Sequence, residues 1–157
     1  MLTDAQIEQL RLESKVVSNG KSRVSDKRSH LERNYLAESA SGSRYKIFVR
    51  QCNLIADNFS CGIMYQKGDG QWIILARYNG SDHPHANDIE KTSFEMKCHI
   101  HIATERYQVL SKKAEKYAEV TDRYNTVDGA LACLVMDWKV TGLGHEASPK
   151  NGDLFND

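Results

Sequence analysis

From Ser93 onward the chain alternates, with Phe94, Met96, Cys98, Ile100 and Ile102 separated by Ser93, Glu95, Lys97, His99 and His101. A period of two predicts a half-buried strand over Ser93 to Thr104, with both histidines on the side opposite the apolar one. Three further strands are predicted upstream, over Arg44 to Cys52, Cys61 to Gln66 and Gln71 to Tyr78. Lys67-Gly68-Asp69-Gly70 is a tight-turn signal between the last two, so they should form an antiparallel hairpin. The apolar face of this meander would carry Ile47, Val49, Ile63, Trp72, Ile74, Ile100 and Ile102.

Helical periodicity occurs at both ends. Thr3 can cap a helix, with Gln6 three residues later and Ile7 and Leu10 starting an apolar stripe that runs out near Ser18-Asn19-Gly20. Thr126 can cap a second, in which Leu131, Leu134, Val135 and Trp138 share one face. The expected fold class is α+β: a single antiparallel meander of about four to five strands, with an N-terminal and a C-terminal helix packed on one face. A single domain is expected, with a helix over 1–20, a solvated polar connection over 21–43, the sheet and its covering helix over 44–140 and a flexible tail over 141–157.

Composition narrows the class. A chain of 157 residues can bury a core without metal or disulfide support. Lys+Arg and Asp+Glu are both 21, and a zero formal charge removes the electrostatic case for general duplex DNA binding while leaving local basic patches open. Cys52, Cys61, Cys98 and Cys133 lie far apart with no CxxC, as reduced core thiols of a cytoplasmic protein would. No apolar run approaches the ~20 residues that cross a bilayer, so no membrane association is expected.

Candidate chemistry is concentrated in one region. His83 and His85 lie in Ser81-Asp82-His83-Pro84-His85-Ala86-Asn87-Asp88, which reads as a loop, and His99 and His101 follow on the predicted strand. The order Arg77-Tyr78-Asn79-Gly80, His-x-x-x-Asn, His-Ile-His-x-x-Thr-Glu, then Tyr-Ala-Glu-x-Thr-Asp-Arg-Tyr at 117–124, resembles an uncharacterised family of small bacterial and phage proteins. The resemblance spans roughly residues 44 to 138. It implies a mobile-element or prophage setting of toxin–antitoxin or counter-defence function, and no specific activity.

Imidazoles titrate near neutrality, so His83, His85, His99 and His101 supply the parts for proton transfer in phosphodiester cleavage. Arg77 or Arg106 would hold a phosphate and Lys97 would add a point charge, while Tyr78, Asn79 and Asn87 would orient a base or ribose hydroxyl. A metal reading would use His99 and His101 as a same-face pair for a divalent ion, completed by His83, His85 or Glu105. The chain lacks a GxxxxGK[ST] phosphate loop, a GxSxG elbow and paired H-x-T/S motifs. Two functions therefore stand against each other. One is a histidine-lined site that binds, with parts suited to cleave, a phosphate-containing nucleotide or RNA. The other is a non-catalytic interaction protein, an antitoxin or an anti-CRISPR-like inhibitor, that binds a host defence or toxin protein through its polar sheet face.

Overall fold

The computed structural model describes residues 1–19, 24–110 and 113–143. Helix α1 (Asp4–Leu12) starts on the expected capping box, in which Thr3 accepts from the Gln6 N–H at 3.1 Å and Gln6 accepts from the Thr3 N–H at 2.8 Å. It stops at Leu12 rather than near residue 20, because Glu13 turns extended and the chain enters strand β1 (Lys15–Val17). The strands β2 (Ser25–Asp26), β3 (His30–Ser39), β4 (Arg44–Cys52), β5 (Phe59–Gln66) and β6 (Trp72–Asn79) follow. A separate ribbon of β7 (His85–Asn87) and β8 (Thr92–Phe94) precedes β9 (His99–Ile102), α2 (Glu105–Leu110), β10 (Tyr117–Val120), α3 (Val127–Asp137) and β11 (Val140–Thr141).

The four-to-five-strand meander is thereby overturned. Among the described residues the main sheet has nine strands in the order β10-β9-β6-β5-β4-β3-β1-β11, with β2 paired to β3. It is mixed, because β11 runs parallel to β1 while the other pairs are antiparallel. Among the described residues helix is a minor component, confined to three short segments.

Two features of the chain account for most of the difference. Residues 21–43, expected to be a solvated connection, contain β3, ten residues long, whose buried positions are Arg33, Tyr35 and Ala37 while Leu36 faces outward. With a charge inside and a leucine outside, the alternation is hidden from a hydrophobicity pattern. The predicted strand from Ser93 to Thr104 divides into β8 and β9, which belong to different sheets.

A register shift between Ile63 and Met64 makes a third correction. It leaves Leu75 as an extra residue of β6, since Ile63 faces Ala76 and Met64 faces Ile74. The extra residue inverts the alternation, so Ile73, Leu75, Ala76 and Tyr78 join the core while Trp72 and Ile74 turn to the opposite face.

One sheet face is covered by α3, which lies over β4, β5 and β6 and buries Leu131, Leu134 and Trp138 against Ile47, Val49, Cys61 and Ile63. Thr126 caps this helix, accepting from the Gly129 N–H at 3.1 Å. The buried Lys15 ammonium ties the ends of both long helices together by donating to the carbonyls of Leu10 at 2.6 Å, Glu13 at 2.7 Å and Trp138 at 2.7 Å. These carbonyls belong to, or directly follow, helix C-termini, where unsatisfied acceptors attract a cation. All four cysteines are free, three of them buried. No helix among the described residues is long and apolar enough to cross a membrane.

Candidate functional site

Pairing carries β9 onto the edge of β6, with His101 opposite Arg77 and His99 opposite Asn79. Directly opposed residues of an antiparallel pair share a face, so these four side chains sit together on the side of the sheet away from α3. Here His99 is fully buried and His101 is 8% exposed. The cover is the β7–β8 ribbon, whose cross-strand pair His85 and Phe94 lies over His99 with ring centroids 5.7 and 5.1 Å away. His83 approaches His99 edge-on at 4.9 Å, and His101 lies 5.0 Å from His99 and 4.8 Å from His85. His99 is thus the hub of a cluster that brings together all four predicted histidines.

Asn87 anchors the ribbon. Its amide donates to the Ala118 carbonyl and accepts from the Ala118 N–H, both at 2.9 Å, as a neighbouring strand would. That pair fixes which atom of the amide is oxygen, and His85 Nε2 lies 2.9 Å from this oxygen. The Nε2 must therefore carry the proton, leaving Nδ1 as the lone pair. In His99 the proton sits on Nδ1 and is donated to the Lys97 carbonyl at 2.8 Å. Its Nε2 is left 3.5 Å from the Asn79 amide nitrogen. His101 Nδ1 likewise donates to the Glu115 carbonyl at 2.9 Å. His83 Nδ1 faces Asp82 Oδ1 at 2.8 Å, which fixes the orientation of the ring.

Electrostatics divides the cluster in two. Burial is the main cause of a lowered pKa in His99, and burial, reinforced by His99 and His85, brings His101 down to about 3. Both strand imidazoles are neutral at pH 7 and hold their protons on nitrogens already committed to carbonyls. His83 is half-exposed and His85 partly exposed, so the loop pair faces solvent.

Two cavities of about 490 Å³ open beside the cluster. One is lined by Arg77, Asn79, His83, His85, His101 and Lys116, and the other brings Arg50, Asn58 and Ser60 to the same Arg77, Asn79 and His83. Arg77 pairs with Glu115 at 2.8 Å and Lys116 with Asp88, so the walls combine anchored cations with fewer acids. Asn79 is buried and its Oδ1 has no hydrogen-bond partner among the described residues. A buried acceptor left unpaired is costly, and a ligand donor would satisfy it.

The remaining predicted residues are placed elsewhere. Tyr78 points through the opposite face and donates to Asp137 at 2.5 Å. Arg106 pairs with Glu90 at 2.6 Å and stacks on Tyr107 and Tyr117, outside both cavities. Glu105 begins α2, its N–H donating to Asp4, and Lys97 serves the cluster through its carbonyl. Arg50, Ser60, Phe94, Glu115 and Lys116 were missed, because only strand pairing and the ribbon bring them to the histidines. Among the described residues, no three His, Cys, Asp or Glu side chains are arranged to hold a metal ion. The chain matches no family model, no curated protein and no solved structure.

Proposed function

We propose that the cleft binds a phosphodiester of a nucleotide or RNA and cleaves it by acid–base catalysis, with His83 and His85 as the reacting pair. The observation that carries this reading is the set of hydrogen bonds that orients the loop pair beside a cation-walled cleft: Asn87 engages His85 Nε2 and leaves Nδ1 as the acceptor of a partly exposed ring, and His83 is backed by Asp82. The strand pair expected from the sequence to do this work is poorly suited to it. His99 has no exposed surface, and His101, held near 3, is too weak a base to drive proton transfer at neutral pH. These two are positioning residues on which the loop pair rests.

In the proposed step, His85 Nδ1 takes the proton of the ribose 2′-hydroxyl as its oxygen bonds to phosphorus. The bond from phosphorus to the 5′-oxygen breaks, and His83 delivers a proton to that leaving oxygen. The products are a 2′,3′-cyclic phosphate and a 5′-hydroxyl. Arg77 and Lys116 bear on the charge of the equatorial oxygens, and Asn79 Oδ1 is an acceptor for a ribose or base donor. The resemblance to bacterial and phage proteins adds the setting of conflict between a mobile element and its host, and is its sole support.

The test is a screen of RNA and cyclic-nucleotide substrates with wild type, His83→Ala and His85→Ala, in chelator and with added zinc or manganese. Each alanine variant should lose ~100- to 10,000-fold in turnover while remaining folded, and wild type should show a bell-shaped pH profile. Wild-type protein that neither cleaves nor binds any of these ligands would sink the proposal and leave the polar sheet face as a protein-binding surface.

A further inference from the structure

The cleft does not end at the histidines. A third cavity, of about 770 Å³, shares Arg77 and Lys113 with the first two, and Glu115 with the first, and runs along β6 past Ile74 and Met64 to Trp72, Lys67 and Gln71. It lies on the sheet face opposite α3, to which the register shift in β6 turns Trp72 and Ile74. Strand pairing aligns two cationic rungs on that face. The Lys46 ammonium stands 4.9 Å from the Trp72 ring centroid, and the Arg50 guanidinium stands 5.0 Å from that of Phe48. Phe48 is buried outside the apolar cluster that α3 covers, and it packs where Gly62 leaves room, since a Cβ there would run into its ring. The ring thus forms a floor that holds the Arg50 guanidinium above it.

We propose that this groove is a track for single-stranded RNA leading into the histidine cleft, with Trp72 as a base-stacking platform and Lys46, Lys67 and Arg50 as contacts to the backbone. The inference rests on the phosphodiester reading of the cleft and names its substrate class. Trp72 and Asn79 are seven residues apart in one strand with a bulge, a separation of about 20 Å. That suits a strand of several nucleotides, within the roughly 4 to 16 that single-strand sites accommodate. A partly exposed aromatic ring on an open sheet face that also carries cations is the arrangement by which unpaired bases are held irrespective of sequence. A duplex would present its bases stacked and paired, out of reach of Trp72.

The protein carries its own reporter, since Trp138 is 1% exposed and Trp72 is the other tryptophan. Titration with an unstructured RNA of roughly ten nucleotides should quench Trp72 fluorescence and give an affinity well above that of a dinucleotide. In fluorescence anisotropy, Trp72→Ala should weaken binding of the longer RNA about 5- to 100-fold, and Trp72→Phe should restore most of it. Lys46→Gln and Lys67→Gln should each reduce the slope of log affinity against log salt by about 0.7. Equal affinities for the two lengths, or wild-type binding by a folded Trp72→Ala, would overturn the track even if the cleft cleaves dinucleotides. Trp72-dependent binding with no cleavage by wild type would instead leave the track standing and remove the catalytic reading.

Discussion

Lowering the pH from about 7 to about 4 presses a proton onto an imidazole that the fold keeps neutral. His101 is 8% exposed, lies 5.0 Å from His99 and 4.8 Å from His85, and has its Nδ1 proton committed to the Glu115 carbonyl. Its pKa in the fold is about 3, against 6.5 for an ordinary histidine. Between those values the unfolded chain binds a proton that the native protein refuses, so stability rises with pH across the window and is lost as pH falls through it. A full proton of difference corresponds to a slope of ~1.4 kcal/mol per pH unit, and the whole window to at most ~5 kcal/mol, much of a small domain's stability. Denaturant titrations at several pH values should show this slope in wild type. His101→Asn removes the titrating ring but keeps an amide donor near the Nδ1 position. It should be less stable than wild type at pH 7 and have a shallower pH dependence, so that the two stabilities converge on acidification. The native carboxylates titrate in both proteins and cancel in the comparison. Parallel pH profiles would refute the claim that a buried neutral His101 couples protonation to folding.

Three other substitutions probe the scaffold of the site. Gly80→Ala should destabilise by ~1–3 kcal/mol in denaturant titration, because a Cβ there meets the Asp57 carbonyl and lies 2.9 Å from the Phe59 ring, while the Gly80 N–H is held by the Phe59 carbonyl. Asn87→Ala should cost ~1–3 kcal/mol for each buried Ala118 group left without its partner, and faster hydrogen exchange at the Ala118 amide should report the released ribbon. His99→Ala should cost ~2–4 kcal/mol by emptying the centre of a packed cluster of rings, more than Cys98→Ser at ~1–3 kcal/mol; thermal or chemical melts giving the opposite order would mean that the ribbon collapses freely onto the space.

The site residues illustrate how much of the protein was written locally. Alternation in Cys98-His99-Ile100-His101-Ile102 is enough to turn both histidines away from the core, and the capping residues Thr3 and Thr126 mark helix starts, because both depend on geometry repeating over a few residues. Burial was not legible in this way. A polar strand face reads as solvent-facing until another element roofs it, and here the roof is a separate two-stranded ribbon fastened to β10 by the side chain of Asn87. Placing His99 under that roof changes it from a candidate acid or base into the support for His83 and His85.

What the sequence determined by itself was the direction of side chains within β9, the Lys67 to Gly70 turn, the ends where helices begin and the concentration of imidazoles in one region. Tertiary structure alone decided which strands are neighbours, that Arg33 lies inside and Leu36 outside, that the extra residue Leu75 turns Trp72 to the open face, and that Arg50, Ser60 and Glu115 meet the histidines. The reason is that periodicity reports the environment of each segment only on average. Strand pairing between distant segments, and the shift of one residue in its register, are set by which complete arrangement satisfies the buried backbone and side chains together.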